Sequence, residues 1–175
     1  MNVAGLGEGS FDGLRISVQS GEADDAHLIR GDFVGRPHGV VLQRGKVKDL
    51  IGTFWANVYL MSERMVDELA THRLTGWTAR PVDIEEPPQL PPLSLLTVTG
   101  RSGPAYSRTG LSLPGLPQFG WFLDPRQWDG SDFFVPANMN GIFLAPAAAA
   151  VIRKMRLANV DLHPANFEPL PENLG

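Results

Sequence analysis

Prolines and glycines punctuate this chain so closely that they limit it to short elements joined by turns. There are 15 prolines and 19 glycines among 175 residues. Proline lacks a backbone donor and disrupts the interior of a helix, whereas glycine favours turns and helix ends. Residues 85–92, Glu-Glu-Pro-Pro-Gln-Leu-Pro-Pro, show this most clearly, because they exclude both a helix and a central strand. We interpret them as a stiff, extended connector.

One segment free of such breaks predicts a strand, a helix and a second strand in succession. Residues 58–61 are continuously apolar, which indicates a buried strand. Ser62 then stands where a helix N-cap is needed, and a helix is predicted over 63–74. Gly76 tolerates the left-handed conformation that ends helices, and a strand over 77–84 follows.

A second segment near the C-terminus predicts the same succession. Residues 142–144 are strand-like, and Pro146 is well placed in the first turn of a helix predicted over 146–157. Alanines make this helix strongly favoured, and a last strand is expected near 160–163.

The two segments align without gaps at an offset of 83 residues, so we predict an internal repeat. Its units span about 56–84 and 139–165. Ser62 aligns with Ala145, and Gly76 aligns with Asn159. Because each helix can bury only one face, each needs a sheet beneath it. The predicted fold is therefore α+β, with a mixed or antiparallel sheet and two main helices from a repeated strand–helix–strand unit.

The remaining segments predict one domain with a flexible start. Residues 1–10 contain Gly5, Gly7 and Gly9 but no strand and helix to frame them, so a dinucleotide-binding motif is not indicated. We expect a flexible lead over 1–10 and a single α+β domain over 11–175. Residues 22–39 are polar, with glycine and proline, and are expected to form a loop.

Composition excludes several classes of function. The net charge is −4 and the basic residues are scattered, which argues against a nucleic-acid partner. The densest basic group, Arg44, Lys46 and Lys48, fits a solvated strand face. The chain has no cysteine, no apolar run of membrane-spanning length and no signal peptide. We therefore expect a cytoplasmic protein with no membrane contact.

Four stretches resemble a known type of bacterial protein. They are "NVYLMSERMVDELATHRLTGWTARPVDI", "LTVTGRSGP", "WDGSDFF" and "GIFLAPAAAAVIRKMRLANVDLHP". Together they resemble the Imm11 type of immunity protein, associated with polymorphic toxin systems, over about residues 40–165. The second unit departs from the pattern where Ala145 and Asn159 replace serine and glycine. The resemblance implies a protein that binds and neutralises a toxin in the cytoplasm. It implies no catalytic residue.

A polar turn supplies the candidate partner-binding residues. Trp128 lies between Arg126 and Asp129, and an exposed tryptophan beside arginine and an acid is typical of an interface hot spot. Arg101 and Arg108, from the long loop over 101–118, are expected to complete this surface. The aspartates of the turn fit Asx caps better than a calcium loop, so no metal is predicted.

The leading hypothesis is thus a non-catalytic protein-binding module without cofactors, specifically an immunity protein for a toxin effector. Its acidic net charge fits a basic, nuclease-type toxin. Two alternatives stay open. One is a small hydrolase or nucleotide-handling enzyme that uses scattered aspartate, histidine and arginine. The other is a structural subunit of an oligomer, and the oligomeric state is left undecided.

Overall fold

The computed structural model describes residues 2–8, 13–85, 90–107, 121–157 and 160–167. These ranges form three helices and fourteen strands in three sheets. The helices are α1 (Asp25–Arg30), α2 (Glu63–Thr71) and α3 (Pro146–Met155). The strands are β1 (Asn2–Glu8), β2 (Arg15–Gln19), β3 (His38–Gln43), β4 (Leu50–Gly52), β5 (Tyr59–Ser62), β6 (Trp77–Pro81), β7 (Asp83–Ile84), β8 (Leu93–Val98), β9 (Gly100–Ser102), β10 (Ala105–Ser107), β11 (Trp121–Leu123), β12 (Phe133–Pro136), β13 (Phe143–Leu144) and β14 (Val160–Phe167).

The sheets confirm the predicted α+β class with mixed and antiparallel pairing. A seven-stranded sheet has the order β10-β11-β14-β1-β13-β12-β9, and a four-stranded sheet has the order β4-β5-β8-β6. A three-stranded sheet has the order β2-β3-β7. Parallel pairs occur at β9 with β12, β11 with β14 and β3 with β7. The chain runs directly from β8 into β9, so one segment links the two larger sheets.

Both predicted strand–helix–strand segments are present, and each is split by a strand from a distant part of the chain. The strands β5 and β6 both pair with β8, which lies antiparallel between them. In the same way, β13 and β14 both pair with β1. Beside these units, β4 pairs with β5 and β12 pairs with β13. Each half of the chain therefore supplies the central strand of the other half's unit.

The two split units also share their register. Met61 pairs with Leu50, and Leu144, 83 positions later, pairs with Phe133. The central strand of each unit joins its neighbours at the same offset: Leu95 lies between Leu60 and Arg80, and Gly5 lies between Phe143 and His163. Descent of the two units from one repeated sequence stays a prediction, whereas the common register is a property of the fold.

The expectation of a flexible lead over 1–10 is wrong for residues 2–8, which form β1 inside the seven-stranded sheet. Val3, Ala4 and Leu6 are buried. Gly7 allows close packing, since a Cβ there would lie 2.5 Å from Nε2 of His163. Pairing on both sides stabilises this strand, although its residues have little intrinsic preference for one.

The expected loop over 22–39 is wrong at its centre, where α1 forms. The side chain of Asp24 accepts a hydrogen bond from the N–H of His27, and Gly31 ends the helix in the left-handed conformation. Leu28 and Ile29 are fully buried, and α1 packs against β8. Two apolar residues anchored to a sheet thus stabilise a helix too short to persist alone.

One extended apolar core joins the sheets. It contains the inward faces of the four- and three-stranded sheets together with side chains of α1, α2 and α3. A smaller core, which includes Phe134, Phe143 and Phe167, covers part of the seven-stranded sheet. The backbones of the two larger sheets approach closely before β6, since a Cβ at Gly76 would lie 2.1 Å from the carbonyl oxygen of Phe133 in β12. The single domain over 11–175 stays a prediction.

Candidate functional site

The predicted partner-binding turn lies along the free edge of β9. The N–H of Arg101 donates to Oδ2 of Asp129 at 2.7 Å, and the N–H of Asp129 donates to the carbonyl oxygen of Arg101 at 3.1 Å. The N–H of Gly103 donates to the carbonyl oxygen of Gln127 at 2.9 Å. The turn therefore satisfies backbone groups that an edge strand would otherwise expose.

Asp124 and Arg126 fix the start of this turn. The Asp124 side chain is only 2% exposed, and it receives Nε of Arg126 at 3.0 Å and Nη2 at 2.7 Å. The hydrogen bonds from the Arg126 side chain and N–H hold the pKa of Asp124 below its ordinary value. The same ion pair raises the pKa of Arg126. The Arg126 side chain is nevertheless 70% exposed, so one face of its guanidinium meets solvent.

Asp129 closes the turn. Its carboxylate accepts the N–H of Ser131 at 2.9 Å as well as that of Arg101. Burial by itself would raise the pKa of Asp129, but these backbone hydrogen bonds and the positive charge of Arg101 outweigh it, and the pKa is lowered. The guanidinium of Arg101 is also engaged, since it donates to the carbonyl oxygens of Val98 and Gly100.

The expectation that Trp128 is exposed is wrong, because the structure places it half-buried over the smaller core. Its ring centroid lies 4.9 Å from that of Phe167 and 5.8 Å from that of Phe134. Its indole Nε1 donates to the carbonyl oxygen of Ser131 at 3.0 Å. Trp128 thus holds the turn against the seven-stranded sheet.

The structure brings four of the five predicted residues together, and their contacts are mainly structural. Arg101, Trp128 and Asp129 direct their polar groups into the protein, and Arg126 shares its guanidinium between Asp124 and solvent. Arg108 lies outside the described residues. Their role in binding a partner stays a prediction.

A different surface shows the features of a binding face. Two apolar side chains of β3, Val40 and Leu42, are exposed by 43% and 55%, and Phe54, in the loop that follows β4, is exposed by 63%. We call the surface formed by Val40, Leu42 and Phe54, with Ser17 between them, the outer apolar face. Grouped apolar side chains on a surface indicate contact with another molecule more strongly than isolated ones do.

Strand pairing arranges this face as a row across three segments. Ser17 pairs with Val40 on one side. On the other side Ile16 bridges to Thr53, and both of these side chains are buried. Because successive residues of a strand alternate between faces, Ser17 and Phe54 both point outward. The small Ser17 therefore lies between two larger apolar residues.

Trp55 anchors Phe54 in this row. The two rings meet edge to face, with centroids 5.8 Å apart. The indole Nε1 of Trp55 donates to the carbonyl oxygen of Val18 at 3.2 Å. A ring held in this way loses little conformational freedom when a partner covers it.

Opposite charges flank the outer apolar face. Arg44 and Lys46 are exposed beyond Leu42, and neither side chain has an ion-pair partner among the described residues. At the other side, the N–H of Glu85 donates to the carbonyl oxygen of Gly39, which places Glu85 near Val40. The face therefore combines an apolar centre with both signs of charge at its rim.

Sequence reasoning missed this face, although a signal was present. The run Val40-Val41-Leu42 is continuously apolar, whereas a strand with one solvated face alternates. Val41 accounts for the buried side, so its two neighbours must point outward.

In the described ranges no group of three or more histidines, aspartates or glutamates is arranged to hold a metal ion. The described helices include none with the length and apolar character needed to cross a membrane. Comparison with models of known protein families finds no match to this chain, and comparison with curated proteins finds none either.

Proposed function

We propose that this chain is a protein-binding module that acts by direct contact with a polypeptide partner, as an immunity protein acts on its toxin. The observation that carries this proposal is the outer apolar face. Exposing two apolar side chains of one small sheet and a phenylalanine of the adjoining loop is unfavourable in water, and covering them with a partner removes that cost. The likeness of residues 40–165 to immunity proteins supports a toxin as the partner.

The rim charges refine the kind of partner. The net charge of −4 pointed to a basic toxin. The outer apolar face, however, carries Arg44 and Lys46 at one end and Glu85 at the other. We therefore expect a partner surface with an apolar centre and with charges of both signs, placed to oppose these three. Such rim charges act mainly on the association rate and on specificity.

The proposal is tested with a partner obtained from the native host. The tagged protein is purified, the polypeptide that accompanies it in equal amount is identified by mass spectrometry, and that polypeptide is produced alone. Growth of cells that express it, with and without this chain, measures neutralisation. The double variant Leu42→Ser/Phe54→Ser is expected to weaken the complex by about 100-fold or more, because two anchors are lost.

A matched control separates this surface from general apolar exposure. Trp121 is also exposed, but it lies in β11 of the seven-stranded sheet. Trp121→Ser is expected to leave affinity unchanged. If the double variant binds as tightly as the unmodified protein, the outer apolar face is not the contact surface. If no polypeptide accompanies the protein under several growth conditions, the proposed function is wrong.

A further inference from the structure

A cavity of about 250 Å³ opens between the end of α3 and the start of β14. It is lined by Ile152, Arg153, Arg156, Leu157, Val160 and Leu162. Four of the six lining residues are aliphatic, and the other two are arginines. It lies on a different sheet from the outer apolar face, so it is independent of the proposed function.

The matching position in the other split unit is occupied by a tryptophan. Val160 begins β14 as Trp77 begins β6, at the same offset of 83 residues. The Trp77 ring packs near Phe133, with centroids 6.5 Å apart. Its Nε1 donates to the carbonyl oxygen of Leu74 at 2.9 Å. At the matching position along its strand, the first unit thus has an indole where the second unit has the smaller Val160 beside the cavity.

Leu157 lines the cavity, at the position that matches Leu74, whose carbonyl oxygen accepts the Trp77 indole N–H. Among the described residues, the Leu157 carbonyl oxygen accepts a long contact of 3.4 Å from the N–H of Val160. A carbonyl oxygen has two lone pairs, so it can accept a second donor. A carbonyl oxygen is an acceptor only, so it binds an N–H donor and not an anion.

The arginines suit an aromatic ligand. Arg153 and Arg156 are exposed, and neither guanidinium has a partner among the described residues. A guanidinium over an aromatic ring is attracted by the negative charge of the ring face. Arg156 also takes a φ of 53°, a conformation that is costly for a residue with a side chain.

We propose that this cavity binds a flat, indole-sized aromatic ring that donates one N–H to the Leu157 carbonyl oxygen. The ring belongs either to a free indole compound or to a tryptophan side chain of another polypeptide. Size supports this assignment, because an apolar cavity of about 150 Å³ already accommodates benzene. The larger cavity at α3 has room for a second fused ring.

The test uses indole itself as the probe. Its binding is measured from amide chemical-shift changes in two-dimensional NMR of the full chain. Shifts confined to α3 and the start of β14 are expected, with a Kd of about 0.1–1 mM for so small a ligand. N-methylindole has nearly the same shape but no donor, and it is expected to bind about 10-fold more weakly. N-acetyl-tryptophanamide distinguishes the two sources, since only a site open to a peptide admits it.

Variants then assign the site. Val160→Trp fills the cavity from within and is expected to abolish indole binding. Asp161→Trp, which adds the same side chain at the next, exposed position, is expected to leave binding unchanged. If Val160→Trp does not fold, Leu162→Phe narrows the same cavity. The proposal is overturned if indole causes no shifts at 5 mM (roughly five times the weakest expected Kd), if the shifts lie elsewhere, or if the filled variants bind as the unmodified protein does.

Discussion

At the scale of the residue, loop aspartates act as acceptors for backbone N–H groups. Asp24, Asp124, Asp129 and Asp132 each accept at least one, from His27, Arg126, Ser131 and Thr75 respectively. These four carboxylates hold turns in place, so their acceptor capacity is used within the protein.

Asp129 provides a direct test of this structural role. Asp129→Ala removes the acceptor for two backbone N–H groups and is expected to lower the free energy of unfolding by about 1–2 kcal/mol near neutral pH. Denaturant unfolding measures the loss. Asp161→Ala, at an exposed position in β14, is the control and is expected to change stability by less than about 0.5 kcal/mol.

The same interaction predicts a pH dependence. The pKa of Asp129 is lowered by folding, so its stabilising contribution is complete above its unfolded pKa of about 3.9. It is lost as the pH falls through the lower, folded pKa. The difference in stability between the unmodified protein and Asp129→Ala should therefore shrink below about pH 4. If this difference in stability stays constant down to about pH 2, the lower end of the range over which such carboxylates protonate, the result contradicts this account.

Two arginines at helix ends adopt a left-handed conformation. Arg73 follows α2 with a φ of 54°, and Arg156 follows α3 with a φ of 53°. Glycine adopts this conformation without steric cost, so Arg73→Gly and Arg156→Gly are each expected to raise stability by about 0.5–1 kcal/mol. Arg153→Gly, inside α3, is expected to lower it by about 1 kcal/mol. Thermal unfolding of the three variants measures the expected gain in stability at Arg73 and Arg156 and the expected loss at Arg153. If all three variants are less stable than the unmodified protein, glycine does not relieve the left-handed strain.

At the scale of the element, the two main helices begin differently. The Oγ of Ser62 accepts the N–H of Met65 at 3.2 Å and donates to Oδ1 of Asp49 at 2.7 Å. Ala145, at the matching position before α3, has no side-chain cap. The second helix relies instead on Pro146 in its first turn and on buried alanines such as Ala148.

The cap of α2 is expected to matter for stability. Ser62→Ala removes both hydrogen bonds and should lower the free energy of unfolding by about 1–2 kcal/mol. Ser62→Thr keeps the hydroxyl and should stay within about 0.5 kcal/mol of the unmodified protein. Equal stability of the alanine and threonine variants would show that the cap contributes little.

At the scale of the whole molecule, the reciprocal exchange of central strands makes the halves depend on one another. Without β1, the strands β13 and β14 have no partner between them. Without β8, the same holds for β5 and β6. Buried side chains of both central strands, such as Leu6 of β1 and Leu95 of β8, also belong to the shared core.

Removal of residues 1–8 is therefore expected to abolish cooperative unfolding, because the seven-stranded sheet loses its central strand. Calorimetry of the shortened chain measures this. A synthetic peptide of residues 1–9, added in excess, should restore the transition, since its backbone can re-form the same pairs. A shortened chain that still unfolds cooperatively near the original Tm would contradict this role for β1.

The sequence alone determined the elements whose signals are local. Three such signals act over a few residues and appear where they were predicted. They are the cap at Ser62, the helix-forming alanines after Pro146 and the apolar strands before both helices. The offset of 83 residues that aligns the two segments in sequence also relates the strand registers of the two split units.

Tertiary structure alone decided which strands meet and which side chains stay exposed. β1 has weak intrinsic strand preference and exists because it pairs on both sides. Trp128 is covered by Phe167, a residue far along the chain, whereas Phe54 finds no such cover. The cavity beside Val160 becomes meaningful only when Trp77 is seen in the matching place. Burial and pairing depend on residues distant in sequence, so local patterns specify them only in part.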